Sequence, residues 1–242
     1  MQFYNFDYNQ QTKRKTKTNH LFKFLILSVF VILLIIAIIK IFYKKQKLTY
    51  FYFVEIGLFQ NYTDAYKCAL DIQQKNAGGY IYYDGHFHVI ANYYLDIDSA
   101  EKVVSNIITE YTNCKILTLK TKDFKHISSL SDTQNQTVEN INNQIKIIIE
   151  TLYTLMINYD TACTTEKSIK LQVLNLHSDL SKIFDEYCLN FTNNKYEICK
   201  TYFLNILNSL QNIYNTENLS QSLKYELINI TLNYVYHLNT IC

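Results

Sequence analysis

The sequence predicts an α+β protein with an N-terminal transmembrane helix, a split βαβ (βαββαβ) domain and a C-terminal all-α helical bundle. Three observations lead to this fold class: an uncharged apolar run, a stretch of alternating strand-like and helical segments, and a glycine-free region with apolar residues at heptad spacing. We expect a basic cytoplasmic tail over residues 1–20, the transmembrane helix over 21–43, the βαβ domain over 48–122 and the bundle over 131–242.

The overall charge balance argues against a polyanionic partner. The chain has 23 Lys plus Arg against 21 Asp plus Glu, so we expect no nucleic-acid binding. No Ser-His-Asp order, nucleophile elbow, phosphate-binding loop or Cys-His pattern is present. We therefore expect neither an enzyme nor a bound cofactor.

The predicted anchor is the run FLILSVFVILLIIAII over residues 24–39, which carries no charge. It extends effectively to Tyr43 because Lys40 can snorkel, and this length matches one bilayer. A cleaved signal peptide would have a shorter apolar core followed by a small-residue cleavage site, which is missing here. Basic residues slightly favour the N-terminal flank, so we expect a single-pass cell-membrane protein with a cytoplasmic N-terminus and residues 44–242 extracytoplasmic.

The first half of the βαβ domain is predicted from an aromatic run and a one-sided helix. Residues 50–59, YFYFVEIGLF, are rich in β-branched and aromatic residues and favour a strand. The following helix is expected to be capped by Thr63 or Asp64. The pair Gly78-Gly79 is expected to end this helix, because glycine adopts left-handed backbone angles without a Cβ clash.

The second half is predicted as a hairpin, a helix and a final strand. Residues 80–83 and 86–93 flank Asp84-Gly85, which favours a two-residue type I′ turn. Asp98-Ser99 is expected to open the second helix, and residues 114–120 alternate as the last strand. The two helices would then cover one face of an antiparallel sheet and leave the other face open.

The order and spacing of four short stretches resemble a SPOR domain, the sporulation-related repeat of bacterial cell-envelope proteins. These stretches are VEIGLF at residues 54–59, the helix start Asp64-Ala65, the hairpin Asp84-Gly85 and the helix start at residues 98–101, DSAE. The resemblance covers residues 48–122 and implies a ferredoxin- or RNP-like sheet. It also implies binding of peptidoglycan glycan strands stripped of their stem peptides, on the open sheet face, at division septa or during sporulation.

Strand alternation selects the residues of the expected glycan site. If the strand positions Val54, Ile56 and Leu58 face the helices, their neighbours point to the open face, where aromatic planes suit the C–H faces of sugars. The residues expected to contact glycan are Phe53, Glu55, Tyr80, Tyr82, His86, His88 and Ile90. The His-x-His spacing of the two histidines lacks a third nearby ligand, so no metal is expected.

The C-terminal half is predicted to form four helices. Seams such as Ile141, Ile145, Ile148 and Leu152 step by four and three residues, and short breaks between seams favour antiparallel neighbours. Four-helix bundles of this kind serve as structural or partner-binding modules. The partner would be an envelope protein or a second copy of the chain through an exposed seam.

Two functions follow from these expectations. The first is a membrane-anchored, non-catalytic peptidoglycan-binding protein of the septum or of sporulation. The alternative is a non-catalytic membrane scaffold or protein-interaction module whose sheet binds no sugar because the bundle or a partner covers it. The alternative predicts that Tyr80, Tyr82 and His88 are buried.

Overall fold

The computed structural model describes residues 48–122, 127–191 and 197–241. The predicted basic tail and transmembrane helix lie outside these residues. None of the helices in the described ranges is long and apolar enough to cross a bilayer. The predicted fold class is corrected accordingly: this part of the chain is mostly helical, with six helices and one four-stranded antiparallel sheet, and no transmembrane helix is found in it.

The sheet is formed by the N-terminal part of the described chain. Its strands are β1 Leu48–Phe59, β2 Tyr80–Tyr83, β3 Phe87–Tyr94 and β4 Lys115–Lys122, in the order β2-β3-β1-β4 with antiparallel neighbours. The register between β1 and β3 shifts on both sides of Glu55, which marks a β-bulge.

Two helices cover one face of the sheet, and their first turns differ from the prediction. They are α1 Tyr62–Gln74 and α2 Ile97–Ile107. Their N-caps are Asn61 and Asp96, whose extended backbone lets each side chain accept a hydrogen bond from the amide three residues later. The predicted caps at Thr63 or Asp64, and at Asp98-Ser99, are therefore wrong by two or three positions.

The hairpin between β2 and β3 has a longer loop than predicted. Tyr83 pairs with Phe87, so residues 84–86 form the loop. A type I′ turn requires positive φ at both central residues, whereas Gly85 has φ +114° and Asp84 is not among the residues with positive φ. The predicted two-residue turn is therefore wrong.

The remaining four helices are α3 Asp132–Asp160, α4 Glu166–Asn190, α5 Glu197–Asn215 and α6 Leu219–Ile241. Each packs against the next one, and α6 returns to pack against α3, so the four helices close into a bundle. The heptad positions lie at the centre of this bundle, and several of them are fully buried: Ile145, Leu152, Val173, Leu180 and Leu227.

The second face of the sheet is not open. Helix α6 packs against β2, β3 and β4, and the described residues form one compact unit. Phe51, Phe53, Ile90 and Tyr93 belong to the same apolar core as the bundle helices. The expectation of an open sheet face is wrong because these apolar side chains are withdrawn from water by packing against the bundle.

A second, smaller core lies between the sheet and the helices α1 and α2. Val54, Ile56 and Val89 point into it, as strand alternation predicts. The bulge then changes the alternation along β1. Leu58, which was expected to face the helices, is exposed, and Phe59 packs against this core instead.

Candidate functional site

Four of the seven residues expected to bind glycan are buried. Phe53 and Ile90 are fully buried in the core that the sheet shares with the bundle. Glu55 and His88 are buried at the same sheet face and contact each other. Of the other three, His86 is exposed, and Tyr80 and Tyr82 are partly buried.

Glu55 and His88 form the centre of a chain of charged groups across the sheet. Glu55 Oε2 lies 2.8 Å from His88 Nδ1, and His88 Nε2 lies 2.8 Å from Asp84 Oδ1 in the hairpin loop. Glu55 Oε1 accepts no well-aligned hydrogen bond, but Lys115 Nζ of β4 lies 3.3 Å away as its ion-pair partner. The bulge at Glu55 is the local irregularity that accompanies this cluster.

The geometry of this cluster ties its members to one another. Both ring nitrogens of His88 face a carboxylate, so the ring carries both protons or one of the two carboxyl groups is protonated. The hydrogen bond from His88 holds the pKa of Asp84 below its usual range. Because Glu55 is fully buried between His88 and Lys115, it has no free surface for a sugar.

Tyr80 connects the sheet to the bundle. Its hydroxyl donates to Asn229 Oδ1 at 3.1 Å, and its ring lies 5.1 Å from that of Tyr225 on α6. Burial, together with the neighbouring Tyr225 and Glu226, raises the pKa of Tyr80 to about 12. Tyr82 lies beside the charged cluster, with its ring 5.6 Å from that of His88.

An exposed aromatic cluster lies at the hairpin end of the sheet. It consists of Tyr66 and Tyr62 on α1, Phe87 on β3 and Tyr83 on β2. Successive ring centroids are 5.8, 5.8 and 4.7 Å apart in that order. Tyr62, Tyr66 and Tyr83 are 54%, 47% and 61% exposed, and Phe87 is partly buried beneath them. The four rings therefore form a continuous aromatic surface open to solvent.

Sequence reasoning missed this aromatic cluster. The spacing of Tyr62 and Tyr66 places both rings on one side of α1, and this was the available signal. The contact with Tyr83 and Phe87 could not be read from spacing. It depends on how the start of α1 lies against the hairpin, which is a tertiary feature.

The described residues contain no group of three or more His, Cys, Asp or Glu side chains placed to hold a metal ion. In the His-x-His stretch, His88 is held between two carboxylates while His86 lies in the exposed loop.

The described part of the chain is a mostly helical fold with a covered antiparallel sheet and an exposed aromatic surface. Comparison with known proteins finds no matching family model, curated protein or solved structure. The SPOR resemblance over residues 48–122 therefore stays a prediction from sequence.

Proposed function

We propose that this protein binds glycan chains without catalysing their conversion, and that the aromatic cluster of Tyr62, Tyr66, Tyr83 and Phe87 is the binding surface. The observation that supports the proposal is the continuity of the four rings combined with the exposure of three of them. This surface replaces the covered sheet face as the proposed site.

The chemistry of the cluster suits a sugar ligand. The C–H face of a pyranose stacks on an aromatic plane, and the tyrosine hydroxyls and nearby polar groups pair with sugar hydroxyls. Asp84 and His86 are exposed in the loop between Tyr83 and Phe87, so polar partners lie at the edge of the aromatic surface. Solvent-exposed apolar patches of this kind are typical of binding sites.

The test is glycan binding by the full chain and by matched tyrosine variants. Suitable ligands are peptidoglycan strands with and without stem peptides, and chitin oligosaccharides. Tyr62→Ala and Tyr83→Ala should each weaken binding by about 0.5–1.5 kcal/mol, roughly two- to tenfold in Kd, because each removes one stacking ring. Tyr236→Ala is the control, since Tyr236 is an exposed tyrosine of α6 outside the cluster.

Two results would contradict the proposal: no glycan of the set binds, or the two cluster variants bind as well as Tyr236→Ala. Stronger binding to strands without stem peptides would support the ligand that the SPOR resemblance implies.

A second candidate is a protein-interaction module whose sheet binds no sugar. The complete burial of Phe53 and Ile90 beneath the bundle favours it. A failure of all glycans to bind, with the chain correctly folded, would support this second candidate over the first.

A further inference from the structure

A polar groove lies where α1 meets the turn between α5 and α6. It has a volume of about 470 Å³, and side-chain amides dominate its lining, which includes Gln73, Asn212, Asn215, Gln221, Tyr225 and Glu226. The groove is shallow and open to solvent, and its volume lies within the range of small-molecule sites. Glu226 is the only charged side chain among the described residues that line the groove.

The carboxylate of Glu226 is buried and held in a fixed orientation. Its residue is 5% exposed, and its two oxygens accept hydrogen bonds from Asn212 Nδ2 at 2.8 Å and from Asn229 Nδ2 at 3.1 Å. Asn229 is itself fixed, because its Oδ1 accepts from Tyr80 and Asn233 and its Nδ2 also contacts Ser209. The carboxylate is therefore positioned before any ligand arrives.

Glu226 has no cationic partner in the described part of the chain. Lys224, two residues earlier on α6, pairs with Asp160 at 2.8 Å. Two amide donors satisfy part of the carboxylate, but they supply no opposite charge, and a buried charge without a counter-charge is unfavourable. A cation that enters the groove would provide the missing counter-charge.

We infer that this groove binds a small polar molecule that carries a primary ammonium group. The ammonium would pair with Glu226, and the carboxamide oxygens of Asn215 and Gln221 and the face of Tyr225 are further acceptors for its positive charge. The groove is larger than an ammonium ion, so its amides and hydroxyls would pair with the rest of a hydroxyl-rich ligand. A divalent metal ion fits less well, because one carboxylate is the only anionic oxygen donor.

The inference does not rest on glycan binding at the aromatic cluster and is tested separately. The probe is glucosamine, titrated into the full chain by NMR or calorimetry. N-acetylglucosamine and glucose serve as neutral ligands of matched shape, and ethanolamine as a minimal amine. We expect the amines to bind, and glucosamine to bind about tenfold or more tightly than its N-acetyl form, because acetylation removes the charge.

Two variants locate the binding. Glu226→Gln keeps the side-chain shape and should reduce glucosamine affinity about tenfold or more. Glu217→Gln removes an exposed carboxylate that follows the groove residue Thr216 in the chain but does not line the groove, and it should leave the affinity unchanged. A thermal melt of each variant shows that it is folded. The inference is overturned if neither amine binds, if the neutral sugars bind as tightly as glucosamine, or if Glu226→Gln binds as tightly as the unmodified chain.

Discussion

His237 lies on α6 with its ring inside the bundle. It is buried, and its ring stacks on that of Tyr202 with centroids 4.2 Å apart. Burial disfavours the charged imidazolium and lowers the pKa of His237 to about 4. The bundle therefore contains a basic side chain that is held neutral.

This burial predicts a loss of stability in acid. Since the pKa is lower in the folded chain than the ordinary 6.5, the unfolded chain binds the proton more readily. The contribution of neutral His237 to the free energy of unfolding is complete above about pH 6.5. It is lost as the pH falls toward 4, and the total loss is up to about 3 kcal/mol. Urea unfolding at several pH values gives the free energy of unfolding as a function of pH. His237→Phe should remove the part of its slope between pH 6.5 and 4 that comes from this histidine. His86→Asn, at an exposed loop position, should retain it. Equal slopes in the two variants would contradict the prediction.

Gly78 shows what sequence can and cannot give at the scale of one residue. The pair Gly78-Gly79 was expected to end α1, but the helix ends at Gln74 with Lys75 as its C-cap, and Asn76 has the left-handed backbone, with φ +61°. A Cβ on Gly78 would lie 2.6 Å from Ile228 Cδ1 of α6 and 3.0 Å from the Ala91 carbonyl. The need for glycine thus comes from close packing against the backbone of β3 and against α6, which local turn chemistry cannot reveal.

At the scale of elements, two buried asparagines of α3 have opposite environments. Asn135 accepts from the Ile127 amide at 2.7 Å and donates to the carbonyls of Ile127, Leu130 and Ser131, so it fixes the segment before the helix. Asn142 is 2% exposed, and neither its Nδ2 nor its Oδ1 has a hydrogen-bond partner in the described residues.

Leucine at these two positions should therefore change stability in opposite directions. Asn142→Leu should raise the free energy of unfolding by about 1–3 kcal/mol, because it removes an unsatisfied buried amide. Asn135→Leu should lower it, because the Ile127 amide and the Leu130 carbonyl lose their partner, and the carbonyls of Ile127 and Ser131 each keep only a backbone hydrogen bond. Chemical denaturation of both variants measures the two changes. A loss of stability in Asn142→Leu that matches the loss in Asn135→Leu would refute the assignment.

Hydrophobic periodicity accounts for much of the element pattern. The heptad positions of α3, α4 and α6 are those that the bundle buries, and strand alternation assigns Val54 and Val89 to the helix side. The periodicity does not locate the bulge at Glu55, which shifts Leu58 to the exposed side. The two register shifts beside Glu55, which skip Ala91 in β3 and Ile56 in β1, leave no periodic signal of their own.

At the scale of the whole molecule, the main difference from the sequence analysis is the cover over the sheet. An apolar strand face and an apolar helix stripe must each be buried, but neither pattern identifies the element that covers that face or stripe. The exposed aromatic cluster was missed for the same reason. Both features depend on which distant elements meet, so only the tertiary structure assigns them.

The shared core predicts that the sheet depends on the bundle. Phe51, Phe53 and Ile90 contribute roughly 1.5–3 kcal/mol each when buried, together about as much as the lower range of a domain's net stability. A fragment of residues 48–122 should bind a hydrophobic dye strongly and unfold without a cooperative transition. The full chain should bind little dye at this face. A fragment that unfolds cooperatively and binds no extra dye would count against the shared core.

The packing of α6 on the sheet also has a consequence for synthesis on the ribosome. The strands emerge first, yet three further helices must be translated before α6, the helix that covers them, becomes available. At about 5–20 residues per second, the apolar sheet face stays uncovered for several seconds in each nascent chain. During that interval the exposed apolar face favours association of the nascent chain with chaperones or with neighbouring chains.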